Sequence, residues 1–313
     1  MAVGVGASGF VGIAPEVTSG TYVAPTKYLV LRNESLKHVQ ETNWRRPLRG
    51  IADISGVVAG YFRTEGSITV EVTEDTLCHL LRAARYTGVK TGSSPYVYTF
   101  TPSAVAIPTK TLSFTVVRNG VTFGFVGCVL GSAKYSVDNG LLIATFDVFG
   151  RSEASQTLPT PTHVTTLPFG AGQYTLEIPA ASAVIDADVY ELSVNDSASH
   201  EYRFTPTAAA AFARFGERNV ELTINRDFDT RTDYDAFKAL SAQSIKFAAS
   251  KGAGASVTFE VFAALKDTYE IVGMSGQAEL IRANIKYRGV YSDGDAASHK
   301  ITVTTTENIA SFP

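Results

Sequence analysis

The chain has 313 residues and a net charge of −3, with 45% hydrophobic and 18% charged residues. A charge this small excludes a nucleic-acid clamp and a membrane-surface binder, since both depend on a strong basic excess. The length predicts two domains of ordinary size. The shortage of charged side chains predicts a surface that loses little when it is buried against a partner.

The first 26 residues are rich in Gly, Ala, Val and Pro and carry one charged side chain, Glu16. This composition predicts an N-terminal arm, 1–26, with little core of its own. Gly4 to Gly9 spell a dinucleotide-binding fingerprint, but no strand precedes them and Pro15 follows too soon for the helix that the motif needs. We therefore expect no dinucleotide cofactor. The start also lacks the features of a secretion signal, so we expect synthesis in the cytosol.

A first strand is predicted at 27–39, and a long excursion, 40–66, follows it. The excursion holds the single Trp, a basic cluster and an apolar run. A loop of this length in a compact domain is usually either disordered or bound to a partner. For the basic cluster we favour contact with a neighbouring subunit over contact with phosphate. The predicted interface residues are Trp44, Arg45, Arg46, Leu48, Arg49, Ile54, Val57, Val58, Tyr61 and Phe62.

The stretch Ser67–Gly88 predicts a strand followed by a helix. Apolar residues alternate with polar ones up to Val72, which is typical of a strand with one buried face. Thr73 is then a helix cap, Leu77, Leu80 and Leu81 follow at helical spacing, and Gly88 is the expected end of the helix.

The same strand and helix return from Val220, where Thr232 begins the second helix and Tyr234, Phe237 and Leu240 are expected to point inward. Two flanking segments also recur. Tyr28–Ser35 is matched by Tyr190–Ser197, and Gly131–Tyr135 by Gly276–Leu280. A repeat of this length predicts a duplicated domain, since each copy is large enough to hold its own core.

The remaining apolar runs alternate as strands do, and Asn-Gly pairs at 119–120 and 139–140 predict two hairpins. The segment 157–172 is rich in Pro, Thr and Gly and is the predicted linker. The expected fold class is mainly β: two tandem repeated β-sandwich or barrel-like modules with one flanking helix each. The expected bounds are a first module at 27–156, a second at 173–291, and a C-terminal arm at 292–313 with a strand near 300–305.

No set of residues converges on catalysis or metal binding. Cys78 and Cys128 are expected as buried free thiols rather than a disulfide. The acidic residues between Asp227 and Asp235 lack the spacing of a calcium loop and are expected to cap a helix. The five histidines show no metal-binding spacing: His38, His79, His163, His200 and His299. We expect no enzyme activity and neither a cofactor nor a metal.

Two stretches carry a resemblance to a known family. The run from Gly12 to Leu36, GIAPEVTSGTYVAPTKYLVLRNESL, resembles the N-terminus of the major tail tube proteins of long, non-contractile-tailed bacteriophages, with its Gly-Ile, an acid, Gly-Thr, Pro-Thr and a strand ending in Glu-Ser-Leu. Leu192–Asn195 and Arg218–Asn225 are similar to a strand pair in the later part of that family.

The resemblance implies a structural subunit that assembles with itself. Subunits of this kind join their sheets into rings, and the rings stack into a hollow virion tail tube through which DNA passes without sequence-specific binding. With two modules in one chain, a homotrimer with pseudo-sixfold symmetry is favoured, and a hexamer is the alternative. The excursion and the terminal arms would then make contacts between rings, and other tail proteins would meet the ends of the tube.

Two other functions stay open from the residues alone. A tandem β-sandwich that binds carbohydrate or adheres at the virion surface would need an exposed aromatic platform. An enzyme on a β scaffold is less favoured, because no nucleophile, base or metal set is apparent.

Overall fold

The computed structural model describes residues 9–48, 50, 53–203, 207–228, 231–273 and 280–309. Most of them lie in strands, and the described part holds one helix in each half of the chain, α1 (Glu74–Leu81) and α2 (Thr232–Lys238). The predicted class, mainly β with a helix in each half, is confirmed. The strands of the first half are β1 (Phe10–Pro15), β2 (Lys27–Tyr28), β3 (Leu31–Glu34), β4 (Lys37–Arg45), β5 (Gly56–Glu71), β6 (Tyr86–Thr91), β7 (Tyr96–Pro102), β8 (Leu112–Arg118), β9 (Val121–Asp138), β10 (Leu141–Gly150) and β11 (Ser152–Ser155).

The second half has shorter strands around one long one. They are β12 (Tyr174–Glu177), β13 (Ala183–Val184), β14 (Ala187–Asn195), β15 (Ser199–Glu201), β16 (Phe212–Arg214), β17 (Asn219–Asp227), β18 (Gln243–Ser250), β19 (Ser256–Val272), β20 (Arg282–Val290) and β21 (His299–Thr305). Residues 276–279, part of one predicted repeat match, lie outside the described residues.

Both predicted Asn-Gly hairpins are present. Asn119 and Gly120 have φ values of 49° and 76°, and Asn139 and Gly140 have 50° and 76°. Two successive positive φ values give the turn whose twist matches that of paired strands, which explains why Asn-Gly is found there. The first turn joins β8 to β9 and the second joins β9 to β10.

Strands β9 and β19 are each longer than predicted, because each continues from one set of partner strands to another. The first part of β9 pairs with β8, and its last part pairs with β10 and β14. Likewise the first part of β19 pairs with β18 and β21, and its last part with β20. The sequence predicts two strands in each run, 121–129 and 133–137 in the first and 257–265 and 268–274 in the second. In the structure each run is one continuous strand with a register shift at the place where the alternation is interrupted.

A central sheet of eight strands runs through both halves in the order β3-β5-β10-β9-β14-β17-β20-β19. The first four strands belong to the first half and the last four to the second. Each half repeats one order: the strand before the hairpin or loop excursion (β3 or β14), the strand before the helix (β5 or β17), the strand after the long one (β10 or β20) and the long strand (β9 or β19). The pairing of β9 with β14 joins the two halves.

Ten of the other strands, together with parts of β9 and β19, form a second layer that packs on the central sheet, while β4 pairs with β5 and β15 with β16 outside it. One group has the order β2-β1-β8-β9-β11, and the other β13-β12-β18-β19-β21-β7-β6. The rings of Tyr190 on β14 and Phe247 on β18 stack between the layers, with centroids 4.0 Å apart. The layered arrangement of a β-sandwich is therefore present in the described part of the chain.

The two halves share one hydrophobic core, whereas the repeat predicted a separate core in each. A single cluster of buried side chains extends from Val11 to Ile309. Tyr135 of the first half contacts Phe259 of the second, with ring centroids 4.5 Å apart. Strand β21 pairs with β19 on one side and with β7 on the other, so the segment expected to be a C-terminal arm carries a strand of this shared core.

The segment expected to be a mobile N-terminal arm also contributes to the core, from residue 9 onward. Strand β1 pairs with β8 along its whole length, and Val11, Ile13 and Ala14 are buried. The Glu16 carboxylate then accepts hydrogen bonds from the backbone N–H of Gly20 and Gly127 and from the Thr111 and Ser113 hydroxyls, at 2.6–2.8 Å. The expectation of little core was wrong because the arm's alternation is short and its strand partner, β8, is remote in sequence.

The two helices differ in how they pack. In α1 the Thr73 hydroxyl accepts from the Thr76 N–H at 3.2 Å, and Leu77, Leu80 and Leu81 are buried, as predicted. The helix ends at Leu81 rather than at Gly88, which lies in β6.

Helix α2 has no buried residue. Tyr234 and Phe237 contact the ring of Tyr269, but Leu240 is 67% exposed, so the expected inward position of Leu240 is wrong. Asp233 forms ion pairs with Arg226 and with the buried Lys266, at 2.7 and 3.0 Å. It therefore ties α2 to the sheet rather than capping the helix.

Cys78 and Cys128 are buried free thiols, as predicted. Burial raises the pKa of both well above the usual value for a thiol, so both are poor nucleophiles. Neither described helix is long and apolar enough to cross a membrane.

Candidate assembly surfaces

The central sheet has one apolar face and one polar face. On β9, Ala133 and Tyr135 are buried in the core, while Ser132, Lys134 and Ser136, which alternate with them, point to the other face. The same alternation continues on the other strands, for instance in β17, where Val220, Leu222 and Ile224 are buried. Period-two alternation on all these strands gives a single polar surface that belongs to both halves of the chain.

One row of side chains crosses this polar face from edge to edge, with one residue from each strand directly opposite the next. The row begins on β3 and ends on β19. Its members are Asn33, Thr69, Thr145, Lys134, Ser193, Glu221, Arg288 and Leu265. The first four come from the first half and the last four from the second, at corresponding places in the repeated strand order.

Acidic side chains outnumber basic ones on the polar face. Seven acidic and four basic side chains alternate with the core residues of these strands: Glu71, Asp138, Asp147, Glu191, Glu221, Asp227 and Glu270, and Lys134, Arg282, Lys286 and Arg288. Further charged side chains at strand irregularities pair with members of this set: Arg32 with Glu71 and Asp138, Asp188 with Arg282, and Asp267 with Arg288. The face is therefore mildly acidic and its basic groups are mostly matched by carboxylates.

The junction between the halves is reinforced on this face. Lys134 Nζ lies 2.8 Å from Glu191 Oε2, across the β9 and β14 pair. The backbone N–H of Asp196 donates to the Gly131 carbonyl at 2.9 Å and so extends the pairing. This junction is a regular antiparallel ladder of five residue pairs.

Both edges of the central sheet are open in the described part of the chain. Strand β3 pairs with β5 on one side, and beyond Leu31–Glu34 lies a cleft of about 390 Å³ whose far wall is formed by Val116–Asn119 and Phe10–Val11. Strand β19 pairs with β20, and from Leu265 to Val272 its other side has no paired strand. Unpaired edges of this kind are templates for pairing with another chain.

The excursion predicted as a loop is a β-hairpin formed by β4 and the first part of β5. It carries the predicted interface residues, and most of them are exposed: Trp44 is 62% exposed, Leu48 fully so, and Ile54, Val57 and Val58 about half. Arg45, Arg46 and Tyr61 are also exposed, whereas Phe62 is half-buried. Arg49 lies outside the described residues. The interface role of these residues stays a prediction.

The structure brings only some of these residues together. Trp44 lies opposite Val57 and Asn43 opposite Val58, near the far end of the hairpin. On both strands, 41–46 and 53–59, every described side chain is exposed. A two-stranded ribbon that is exposed on both faces is marginally stable alone, so this half of the hairpin lacks the packing that stabilises the rest of the fold.

The base of the hairpin is held by the second half of the chain. Phe62 exchanges backbone hydrogen bonds with Ala208 and Ala210, both at 2.9 Å. The Tyr61 ring stacks on Tyr202 with centroids 4.5 Å apart. His200 Nε2 lies 3.2 Å from the Thr64 carbonyl. The base of the hairpin therefore contacts His200, Tyr202 and residues 208–210 of the second half at one place.

A family model described as phage tail tube protein matches residues 6–303. The chain belongs to the phage tail tube protein family. This membership assigns the tail tube chain to the viral tail and supports a structural role. A search among curated proteins finds no match.

Sequence reasoning missed the two sheet edges and the acidic face of this tail tube protein. The alternation of apolar and polar residues was visible in each strand, but nothing in it shows that β9 lies beside β14 or that β3 and β19 end the sheet. The repeated sequence was the one usable signal, because it makes β3 equivalent to β14 and β5 to β17. Its match of Gly131–Tyr135 with Gly276–Leu280 is wrong as a guide to the sheet, since the second stretch leads into β20, whereas the counterpart of β9 in the strand order is β19.

Proposed function

We propose that this tail tube protein assembles with copies of itself into rings, and that the rings stack into a hollow tube through which DNA passes into the host. The observation that carries the proposal is the central sheet, which crosses both halves in one repeated order and ends in two open edges. Pairing these edges between copies satisfies the backbone groups of both. If the last copy meets the first, the ring closes without a loose edge.

Geometry favours three copies in a ring. Three eight-stranded sheets give 24 strands. With strands about 4.8 Å apart and tilted by about 40°, a closed barrel of that many strands has a diameter of about 48 Å. Two copies would give 16 strands and, with the same spacing and tilt, a diameter of only about 32 Å before side chains are counted. Three copies leave a bore wide enough for duplex DNA and make a pseudo-sixfold ring of six half-chains.

The polar face of the central sheet would line the bore. A sheet in a closed ring has one face inward, and the apolar face of this sheet is already covered by the second layer. The excess of carboxylates on the polar face suits transit, since a basic lining would hold phosphate by releasing its counterions. No base-specific contact is needed, and the proposed role is conduction rather than catalysis.

The exposed hairpin would connect one ring to the next. Its far half is exposed on both faces and carries Trp44, Val57 and Val58, which is the composition of an interface core rather than of a solvated loop. Other tail proteins would meet the same surface at the ends of the tube. Synthesis in the host cytoplasm, ahead of assembly, accords with this role.

The proposal is tested by negative-stain imaging of the purified full-length protein at rising concentration, with mass determination in parallel. Rings and striated tubes with a central bore are expected. A protein that stays monomeric at every concentration, under conditions in which it is folded, would overturn the proposed function.

A further inference from the structure

We infer that the junction between the two halves, β9 against β14, is also the junction between copies, with β19 of one copy taking the place of β9 and β3 of the next taking the place of β14. This inference rests on the proposed self-assembly and specifies the register of its contact. It commits to a second copy of this chain as the partner of both open edges.

The register follows from the row of residues across the polar face. Lys134 on β9 pairs with Thr145, and Leu265 on β19 pairs with Arg288. Thr145 lies opposite Thr69 of β5, and Arg288 lies opposite Glu221 of β17. Because Thr69 and Glu221 are matching positions of the repeated sequence, Thr145 and Arg288 occupy the same place in the two halves.

The other edge is placed by the same reasoning. Asn33 pairs with Thr69, and Ser193 pairs with Glu221, so Asn33 and Ser193 have the same place in the strand pairing, although the sequence match aligns Asn33 with Asn195. Lys134 lies directly opposite Ser193 within the chain. Leu265 of one copy therefore lies directly opposite Asn33 of the next copy, and the row continues around the ring without a break.

The local surroundings agree with this register. Among the described residues, no strand pairs with the side of β19 opposite β20 from Leu265 to Val272, and an open cleft of about 390 Å³ borders Leu31–Glu34 on the other edge. The contact differs from its internal counterpart in charge. The internal junction is reinforced by the Lys134 and Glu191 ion pair, whereas Leu265 replaces the lysine in the junction between copies. The inferred junction therefore depends less on ionic strength than one held by an ion pair.

The test is disulfide formation in the double variant Leu265→Cys with Asn33→Cys. Directly opposite residues on antiparallel strands have Cβ atoms about 4.5–5.5 Å apart, close enough for a disulfide after small adjustment. The two native cysteines are buried and do not interfere. After assembly and oxidation, a ladder of covalent oligomers that ends at the closed ring is expected on non-reducing gels. An equimolar mixture of the two single variants should give covalent dimers and nothing larger.

Two matched variants fix the interpretation. Lys134→Cys with Ser193→Cys places two cysteines in the same row within one chain. This variant should form an intramolecular disulfide, which consumes two thiols but links no copies on the gel. Thr268→Cys with Asn33→Cys shifts the register by two ladder positions, about 7 Å along the strand, because β19 is irregular between Lys266 and Thr268. This offset is beyond the reach of a disulfide and should leave the copies unlinked.

Imaging of the same samples separates this inference from the proposed function. Tubes that form with no cross-link between Leu265→Cys and Asn33→Cys, or with an equal cross-link in the shifted variant, would overturn the register and leave the tube role standing. A folded protein that forms neither tubes nor cross-links would overturn both.

Discussion

His299 shows how an ordinary residue acquires unusual chemistry from a remote packing partner. It lies on β21 and is buried, with Nε2 2.9 Å from the Tyr86 hydroxyl and Nδ1 3.0 Å from the Ser298 hydroxyl. Burial, and to a lesser degree the nearby Arg218, lowers the pKa of His299 from 6.5 to about 3. Nothing in the sequence separates this histidine from the other four, because its burial results from β21 entering between β19 and β7.

The pKa of His299 predicts a pH-dependent stability. In the unfolded chain this imidazole binds a proton below about 6.5, whereas in the folded protein it stays neutral down to about 3. The unfolded state therefore gains the proton first, and the free energy of unfolding falls as the pH is lowered through this window. In His299→Gln, which keeps a polar group near Tyr86, the fall should be less steep by at most about 1.4 kcal/mol per pH unit.

Urea titrations at several pH values between 7 and 5 measure this slope. His163→Gln, at an exposed position, is the matched control and should keep the slope of the unchanged protein. Equal slopes in His299→Gln and the unchanged protein would show that His299 does not set the pH dependence.

At the scale of elements, the sequence predicted strands well wherever one face is buried. Leu141–Gly150 and Asn219–Asp227 alternate cleanly because one side packs on the core. The sequence predicts these strands at 141–149 and 219–225, so the bounds differ by at most two residues. The sequence predicts a loop where β4 and β5 form a hairpin, because the hairpin lacks the buried face that makes other strands recognisable. Neither face of its far half is buried, so its sequence has no selected alternation to detect.

The exposed hairpin predicts that assembly and folding can be separated. Trp44→Ser removes a side chain that is 62% exposed, so the midpoint of urea unfolding should change little, by about 0.5 kcal/mol or less in free energy. If Trp44 contacts the next ring, losing such a large anchor should cost about 2 kcal/mol per contact and raise the protein concentration needed for tubes more than tenfold.

Sedimentation of tubes across a concentration series measures this threshold. Ile185→Ser, which removes a 96% exposed apolar side chain from another surface, is the control and should leave the threshold unchanged. A similar rise in both variants, or none in Trp44→Ser, would count against a role of the hairpin between rings.

At the scale of the whole molecule, the repeat predicted matching strands but neither their order nor how the halves combine. The match between Ser67–Gly88 and the stretch from Val220 relates β5 to β17, and the structure gives both strands the same place in the strand order. The contacts that fuse the halves, β9 with β14 and β21 with β7, join residues far apart in sequence. A pattern read along the chain carries no information on such pairings, so the expectation of two separate cores was wrong.

The acidic face of the central sheet predicts how the assembled protein treats DNA. Asp147→Lys with Glu221→Lys reverses two exposed carboxylates on this face, which turns an excess of three acidic groups among its eleven alternating charges into an excess of one basic group. Tubes should still form, because both side chains are exposed and distant from the sheet edges. Short duplex DNA should then be retained inside the tubes at about 50 mM salt and released at about 200 mM, since phosphate binding weakens steeply with salt.

Co-sedimentation of tubes with DNA, followed by nuclease treatment, measures this retention. DNA held in the bore is shielded by the wall of the tube, whereas DNA on the outer surface is cut. Glu217→Lys with Asp293→Lys adds the same charge at exposed positions away from the polar face and is the control. DNA bound by the control should be nuclease-sensitive. If the Asp147→Lys with Glu221→Lys tubes also left their DNA fully sensitive, the polar face would have to lie outside the tube.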